Sequence, residues 1–500
     1  MRAEGASVTG GPTDPYARWE TIPWEGVERH VSRMQARIAK AARDGRAEAA
    51  RKEQRRLVRS YDARLLAVRT VTTNRGGRTP GVDGVLWSAP KDKLDAAASL
   101  RQKGYRARPL RRVRIPKKGK RGQTRPLGIP TMRDRAMQAL WALALDPVAE
   151  AAADKHSYGF RRGRSAQDAG QRLFQCLAQR TSARYVLEGD IKGCFDHISH
   201  EWLMENVPMD KRVLAQFLKA GFMEMGEWWE TDEGTPQGGP ISPILANIAL
   251  DGMGRLLDER FTLTRRGTVN MTKAGRNKVH LVRYADDFVV TAATPQVAEE
   301  AKAMVAEFLA QRGLELSEEK TLVTHVEEGF DFLGWNFRKF GGKLLVRPSK
   351  RSVQSFLRET HACILRDSGS MGADELIRSL VPKVRGFANY HRHTCASKTF
   401  SHIDRVMHFQ LMRWACRRHP GKHKGWVHER YFCTVGGNRY MFGTPQHFLP
   451  HMAWQHIVRH RILRADANPY LDREYFEERK RILRRNNSNS FRMPAADVWR

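Results

Sequence analysis

The chain has 500 residues, 41% of them hydrophobic, enough for about two to four domains with cores of their own. Its 87 Lys and Arg against 54 Asp and Glu give a net charge of +33, which calls for a polyanionic partner, most commonly a nucleic-acid phosphate backbone. The charge runs through the whole chain and is not confined to one amphipathic helix, and this argues against a membrane surface as the partner. Six scattered cysteines (Cys176, Cys194, Cys363, Cys395, Cys416 and Cys433) form no C-x-x-C pair; they fit reduced thiols in a cytosolic protein better than a disulfide frame.

The first twenty or so residues are Gly, Pro and polar, and Met1-Arg-Ala-Glu-Gly-Ala does not read as a signal peptide. Helical periodicity runs from Val27 to about Val71, with many Arg and Lys between the apolar positions. Thr79-Pro-Gly-Val-Asp-Gly84 is a turn cluster that marks a boundary. Arg101 to Arg125 holds twelve basic residues and no acidic one. Pro109, Pro116, Gly119 and Gly122 forbid a single helix there, so a β-hairpin with an exposed basic loop, Lys117 to Arg125, is expected. Ala136 to Ala153 is apolar but contains Asp146, Pro147 and Glu150; it reads as a buried helix and the start of another, not as a membrane span. Arg184 to Ile191 reads as a strand, Thr235 to Pro243 as a rigid Gly/Pro loop, and Ile244 to Asp251 as a helix. Lys278 to Thr291 reads as strand, turn, strand around Tyr284-Ala-Asp-Asp287. A helix over Gln296 to Arg312 and strands around Gly329 to Trp335 complete an antiparallel sheet with helices on one face. Three helices follow between Arg351 and Arg418, broken near 367–372 and 394–397, and the last eighty or so residues are mixed and basic.

Asp286 and Asp287 are adjacent carboxylates that repel unless a cation lies between them, and hard oxygen ligands suit Mg²⁺. Taken alone, the tetrapeptide fits a solvated turn equally well. If the strand ending at Asp190 neighbours the hairpin, three carboxylates converge at one sheet end. They could then hold two divalent ions about 3.5–4 Å apart. Phosphoryl transfer asks mainly for positioning and charge neutralisation, and Lys117 and Arg125 could grip a triphosphate.

These segments, in this order, resemble the group II intron-encoded reverse transcriptases and maturases. The motifs are Thr79–Gly84, Arg114-Ile-Pro-Lys117 with Arg125-Pro-Leu-Gly-Ile-Pro130, Ser157-Tyr-Gly-Phe-Arg-Arg-Gly-Arg164 and Asp190-Ile-Lys-Gly-Cys-Phe195-Asp196. Pro236-Gln-Gly-Gly-Pro-Ile-Ser-Pro243, Tyr284–Asp287, Leu316-Ser-Glu-Glu-Lys-Thr321, Gly329-Phe-Asp-Phe-Leu-Gly334 and Val384-Arg-Gly-Phe-Ala-Asn-Tyr390 follow. The resemblance implies an α+β right-hand polymerase with fingers, an antiparallel-sheet palm and a helical thumb or maturase domain. Its domains are a helical RNA-binding extension (1–70), fingers (71–180), palm (181–345), thumb (346–430) and a basic C-terminal region (431–500). The implied metal ligands are Asp190, Asp286, the assisting Asp287 and the Ile191 carbonyl, holding two Mg²⁺ ions, with Mn²⁺ a possible substitute. Lys320 matches the lysine that protonates the pyrophosphate leaving group. Phe195 matches the gate against a ribose 2′-OH, Gln237 and Gly238 the loop beside the incoming dNTP, and Gly334 the primer-grip turn. Arg161, Arg164, Arg385 and Tyr390 are expected on nucleic acid.

The implied partners are a group II intron RNA, as template and splicing partner, target DNA or primer, and dNTPs, in a ribonucleoprotein of the bacterial cytosol that is nucleoid-associated when on DNA. His391, His393, His419 and the aromatics Trp414, Trp426 and Tyr431 are expected on an RNA-facing surface, in preference to zinc, with some of the aromatics simply core. With no cysteine after Cys433, an HNH nuclease is not expected. A domesticated relative, for example in phage defence, and a splicing factor with an unused polymerase site are the alternatives.

Overall fold

The computed structural model describes residues 18–116, 122, 124–235, 238–366, 368–435, 438–444 and 446–488. Lys117 and Gln237, and what was expected of them, lie outside the described residues. The chain opens with helices α1 (Trp24–Arg43), α2 (Ala47–Arg59), α3 (Tyr61–Thr73) and α4 (Pro90–Ser99). Strands β1 (Leu110–Pro116) and β2 (Thr124–Ile129) lead to α5 (Met132–Ala152) and α6 (Ala166–Leu177). β3 (Tyr185–Asp190) precedes short helices α7 (Cys194–His197), α8 (His200–Asn206) and α9 (Lys211–Leu218), then β4 (Phe222–Glu224) and β5 (Glu227–Trp229). Helices α10 (Ser242–Leu250), α11 (Met253–Phe261) and α12 (Met271–Asn277) come before β6 (His280–Tyr284), β7 (Asp287–Ala292) and α13 (Pro295–Ala310). Strands β8 (Leu322–His325), β9 (Phe330–Phe332), β10 (Trp335–Phe340) and β11 (Lys343–Pro348) follow. The chain continues through α14 (Lys350–Leu365), α15 (Ala373–His391), α16 (Ser397–Arg418), α17 (Lys424–Tyr431), β12 (Phe432–Val435), β13 (Asn438–Phe442) and α18 (Arg473–Ser488). The fold is α+β, as expected.

Two compact units result. The first gathers residues up to Ala153, Gly193–Asp251 and Gln311–Leu314; the second gathers Asp154–Lys192, Gly252–Ala310 and Glu315 onward. The first is built around α5, whose N-terminus is capped by Thr131, its side-chain oxygen accepting from the Asp134 amide at 3.2 Å. Here the sequence expectation fails: α5 does not stop at Pro147 but runs through it. Proline removes the amide that would have bonded the carbonyl four residues back, at Leu143. The buried Gln35 side chain of α1 donates to that Leu143 carbonyl at 2.8 Å. Gln54 of α2 donates to the next carbonyl, Ala144, at 3.1 Å. The Gln35 side-chain amide thus replaces the missing partner, Gln54 adds a donor at the next carbonyl, and the helix survives. The hairpin expected around the basic loop is present, with β1 and β2 paired antiparallel from Arg111↔Ile129 to Pro116↔Thr124. The Thr79–Gly84 turn lies within this unit, and a Cβ on Gly81 would come within 2.6 Å of the Thr131 backbone.

In the second unit, β6-β7-β3-β8 form an antiparallel sheet. Val186 and Leu187 point to opposite faces, yet both are fully buried. The sheet is therefore covered on both faces, not on one as expected. Val186, Val282 and Val289 pack with Leu173 and Leu177 of α6 and with Trp335 and Phe337, while α13 lies along β3 and β7. The three expected helices are α14, α15 and α16, packed through Phe356, Leu376, Leu380, Phe400, Ile403 and Leu411.

Part of the histidine- and aromatic-rich stretch is core, as was expected for some of these aromatics. His391 is buried against Phe387, with ring centroids 4.4 Å apart, and Trp414 is buried beside Tyr431. His419 bonds the Tyr431 hydroxyl at 2.9 Å. Large aromatic faces contribute more to a core than to a wet surface, and this stretch uses them so.

Candidate active site

β3 ends at Asp190 and β7 begins at Asp287, and the two are register partners across adjacent antiparallel strands. Register partners share a sheet face, so both carboxylates stand on one side of the sheet end. Ala285 and Asp286 form the two-residue turn between Tyr284 and Asp287, themselves paired. Ala285 takes φ +58°, a left-handed conformation that costs a non-glycine residue about 1–3 kcal/mol and persists only where its surroundings enforce it. They do so on two sides. Arg283, fully buried, donates from Nη1 to the Ala285 carbonyl at 3.2 Å. The segment before Gly159 is stitched to β6, with the Tyr158 amide on the Arg283 carbonyl at 2.9 Å and the Arg283 amide on the His156 carbonyl at 3.0 Å. A Cβ on Gly159 would lie 2.2 Å from the Ala285 nitrogen, so glycine is required for this close approach.

Like charges placed opposite each other on neighbouring strands are destabilising. Burial, then Asp286, then Asp190 push the Asp287 carboxyl up to about 6, against the pull of Lys320. Although its side chain reaches solvent, the surrounding protein mass still withdraws water from the ionised form. The Lys320 ammonium meets Asp190 Oδ2 at 2.6 Å. It is placed there by the antiparallel bridge Ile191↔Leu316 and by a one-turn loop, with the Ser317 amide on the Asp190 carbonyl at 2.8 Å and the Lys320 amide on the Ser317 carbonyl at 3.1 Å. The bonds flanking Ile191 use the carbonyl of Asp190 and the amide of Lys192, not the carbonyl of Ile191. Among the described residues, no three His, Cys, Asp or Glu side chains are already gathered closely enough to hold an ion. The donor set nevertheless fits a hard divalent cation: three carboxylates at one sheet end, mutually repelling, with an ammonium as counter-charge.

The other expected residues divide between the units. In the first unit, Phe195 sits half-buried on α7 and lines a pocket of about 120 Å³ with Leu110, Arg112, Phe222, Gly234 and Thr235. The Thr235 amide donates to the Phe195 carbonyl at 2.7 Å. Gly238, φ +113°, passes so close to β2 that a Cβ would meet the Gly128 carbonyl at 2.8 Å. Arg125 is exposed on β2, opposite Ile115. In the second unit, Arg385 is exposed on α15. Leu333 and Gly334 form the β9–β10 turn, both with positive φ.

Three residues expected on nucleic acid also make contacts within the protein. Arg161 is buried and donates to the carbonyls of Asp154 at 2.6 Å and Ser157 at 2.9 Å. Arg164 reaches the Ala467 carbonyl at 3.4 Å. Tyr390 stacks on Trp335 at 4.9 Å, and its hydroxyl donates to the Leu333 carbonyl at 2.8 Å. Arg283 and Gly159 escaped the sequence reading, although a lone arginine inside the apolar run of β6 was a signal.

Residues 115–337 match the family described as reverse transcriptase (RNA-dependent DNA polymerase). Residues 19–100 match the N-terminal domain of reverse transcriptase, and residues 353–432 the group II intron maturase-specific domain. Protein YkfC of Escherichia coli is 34% identical over 302 residues, which cover 54% of this chain and 78% of that protein. The chain belongs to the group II intron reverse transcriptase and maturase family. Group II intron-encoded protein LtrA of Lactococcus lactis is 27% identical over 447 residues, covering 72% of this chain and 74% of that protein. A telomerase structure from Candida albicans aligns over 65% of this chain and 64% of its own at 12% identity, with a TM-score of 0.37, and adds nothing to the assignment. As a member of this family the chain is an RNA-directed DNA polymerase, an enzyme class that works with divalent metal ions, and its maturase-specific domain implies RNA binding. Among the described residues no helix is long and apolar enough to cross a membrane.

Proposed function

We propose that this chain copies a group II intron RNA into DNA, acts as maturase for that intron's splicing, and supports retrohoming by target-primed reverse transcription. The observation that carries the polymerase reading is the register pair Asp190↔Asp287 with Asp286 in the adjoining turn. Asp190, Asp286, Asp287 and the Ile191 carbonyl would hold two Mg²⁺ ions, with Mn²⁺ as substitute. Bound there, the metal would make the primer 3′-hydroxyl a better nucleophile and neutralise charge on the leaving pyrophosphate. Lys320 leaves Asp190 when that carboxylate takes up its ligand role, and its ammonium then donates a proton to the leaving group. Phe195 closes the pocket of the first unit against a ribose 2′-OH. Lys117, Arg125, Gln237 and Gly238 bind and orient the dNTP, and the Gly334 turn holds the primer end. Arg385 offers an exposed cation to RNA.

The domains are read as an RNA-binding extension (1–70), fingers (71–180), palm (181–345), thumb (346–430) and a basic C-terminal region (431–500). The test is primer extension on an RNA template with dNTPs and rNTPs side by side, for the wild type and for Phe195→Ala. Extension by dNTPs alone in the wild type, with rNTPs admitted in the variant, supports the reading. Wild-type extension by rNTPs, or sugar selection that Phe195→Ala leaves unchanged, overturns it.

A further inference from the structure

The matched maturase-specific domain ends at residue 432, yet the chain beyond it returns to the segment that braces the catalytic turn. At its centre is Asp168, the acidic residue of the capping box that opens α6. One carboxylate oxygen, Oδ2, accepts from the Ser165 amide and hydroxyl, each at 2.8 Å. The other, Oδ1, takes His460 Nε2 at 2.8 Å and the Arg479 guanidinium of α18. The side chains are almost wholly enclosed: Asp168 is 0%, Arg479 5% and His460 8% exposed. Arg479 also donates to the Gly163 carbonyl at 3.2 Å. Phe476 of α18 lies so close over Gly163, φ +73°, that a Cβ there would sit 2.6 Å from its ring. The Arg162 guanidinium stands 5.6 Å from the Tyr470 ring.

Four residues before Gly163 is Gly159, pressed on Ala285, and between them Arg161 pins the loop by the carbonyls of Asp154 and Ser157. The segment 157–168 therefore touches the catalytic turn at one end and α18 at the other. We propose that the C-terminal stretch from His460 to Arg479 is a positioning clasp that holds the Ala285-Asp286 turn in its left-handed, polymerisation-competent conformation through the 157–168 segment. Arg479, His460 and Phe476 are positioning residues, remote from substrate, and the basic character of this stretch serves the protein's own interior as well as any nucleic acid. The inference rests on Asp286 belonging to the polymerase site.

The test compares full-length wild type, Arg479→Ala, Phe476→Ala and Asp286→Ala. It uses steady-state primer extension on an RNA template with Mg²⁺, together with hydrogen exchange of the backbone amides. Phe476→Ala keeps the buried ion pair, so it carries the test if Arg479→Ala does not fold. The clasp predicts that kcat falls about tenfold or more while the KM for dNTP stays within about twofold, because a displaced catalytic group costs rate and not ground-state binding. It also predicts faster exchange at the Tyr284 to Phe288 amides as well as in α18. Clasp variants that lose protection in α18 but keep that of the turn, with kcat within about twofold of wild type, would overturn it. If Asp286→Ala itself retains extension, the site assignment fails instead, and the exchange data still decide whether the clasp holds the turn.

Discussion

At the scale of single residues, the site is an arrangement of charges kept in check by one lysine. Asp190 and Asp287 face the same way across β3 and β7, and Lys320 meets Asp190 at 2.6 Å. Lys320 is 55% exposed, and exposed ion pairs contribute little to stability, about 0–1 kcal/mol. Lys320→Ala is therefore expected to leave the melting temperature nearly unchanged. It should slow extension by about 10²-fold, the span of general acid catalysis. Parallel melting and rate measurements check this, and a melting loss in proportion to the rate loss would contradict it. Gly189 makes the opposite case, because a Cβ there would stand 2.0 Å from the ring of its cross-strand partner Phe288. Gly189→Ala should destabilise by about 1–3 kcal/mol through overpacking, read from denaturant unfolding. The aspartates were legible in the sequence because β-branched runs flank a tight turn. The jobs of Arg161 and Tyr390 were not, since an Arg-rich loop reads as surface until the carbonyls it binds are known.

At the scale of elements, the Asp190 strand, the hairpins and the three helices after Arg351 match expectation because local periodicity decides them. The strands around Gly329 to Trp335, however, do not complete the β6-β7-β3-β8 sheet: β9, β10 and β11 form a sheet of their own, and β8 takes the edge beside β3. α5 could not be read this way. Its continuity through Pro147 depends on Gln35, 108 residues before the carbonyl it satisfies, and no window of local sequence contains both. Gln35→Leu removes that donor and leaves the partly buried Leu143 carbonyl without it, a cost of about 1 kcal/mol. Thermal unfolding should show the loss, and Gln35→Glu, which cannot donate from its side chain when ionised, should not rescue it. The covering of both sheet faces was also hidden, because adjacent Val and Leu residues in β3 do not reveal which helices will reach them.

At the scale of the whole molecule, the basic surplus and the buried histidines set how the protein responds to its medium. Burial lowers His391 to about 3. It does the same to His156 and His393, helped by neighbouring cations, and it takes His280 to about 4. These groups ionise near 6.5, the ordinary value of histidine, when unfolded. Between pH 6.5 and 3 the unfolded chain then binds more protons at these sites, and stability falls as pH drops. Asp287 and Asp404, raised to about 6, oppose this below pH 6 but are fewer. Melting temperature should therefore decline from pH 7 to pH 5; a rise over that interval would contradict the burial of these rings. The net charge of +33 further predicts that RNA affinity falls linearly on a log–log plot against salt, because phosphate contacts release counterions.

The central claim is that Asp190, Asp286 and Asp287 form one metal-dependent polymerase site, and Asp286→Ala/Asp287→Ala tests it most directly. Primer extension on an RNA template should be lost in the double variant, while RNA binding measured in parallel stays near the wild-type value. Mg²⁺-dependent extension that persists in that variant would contradict the account.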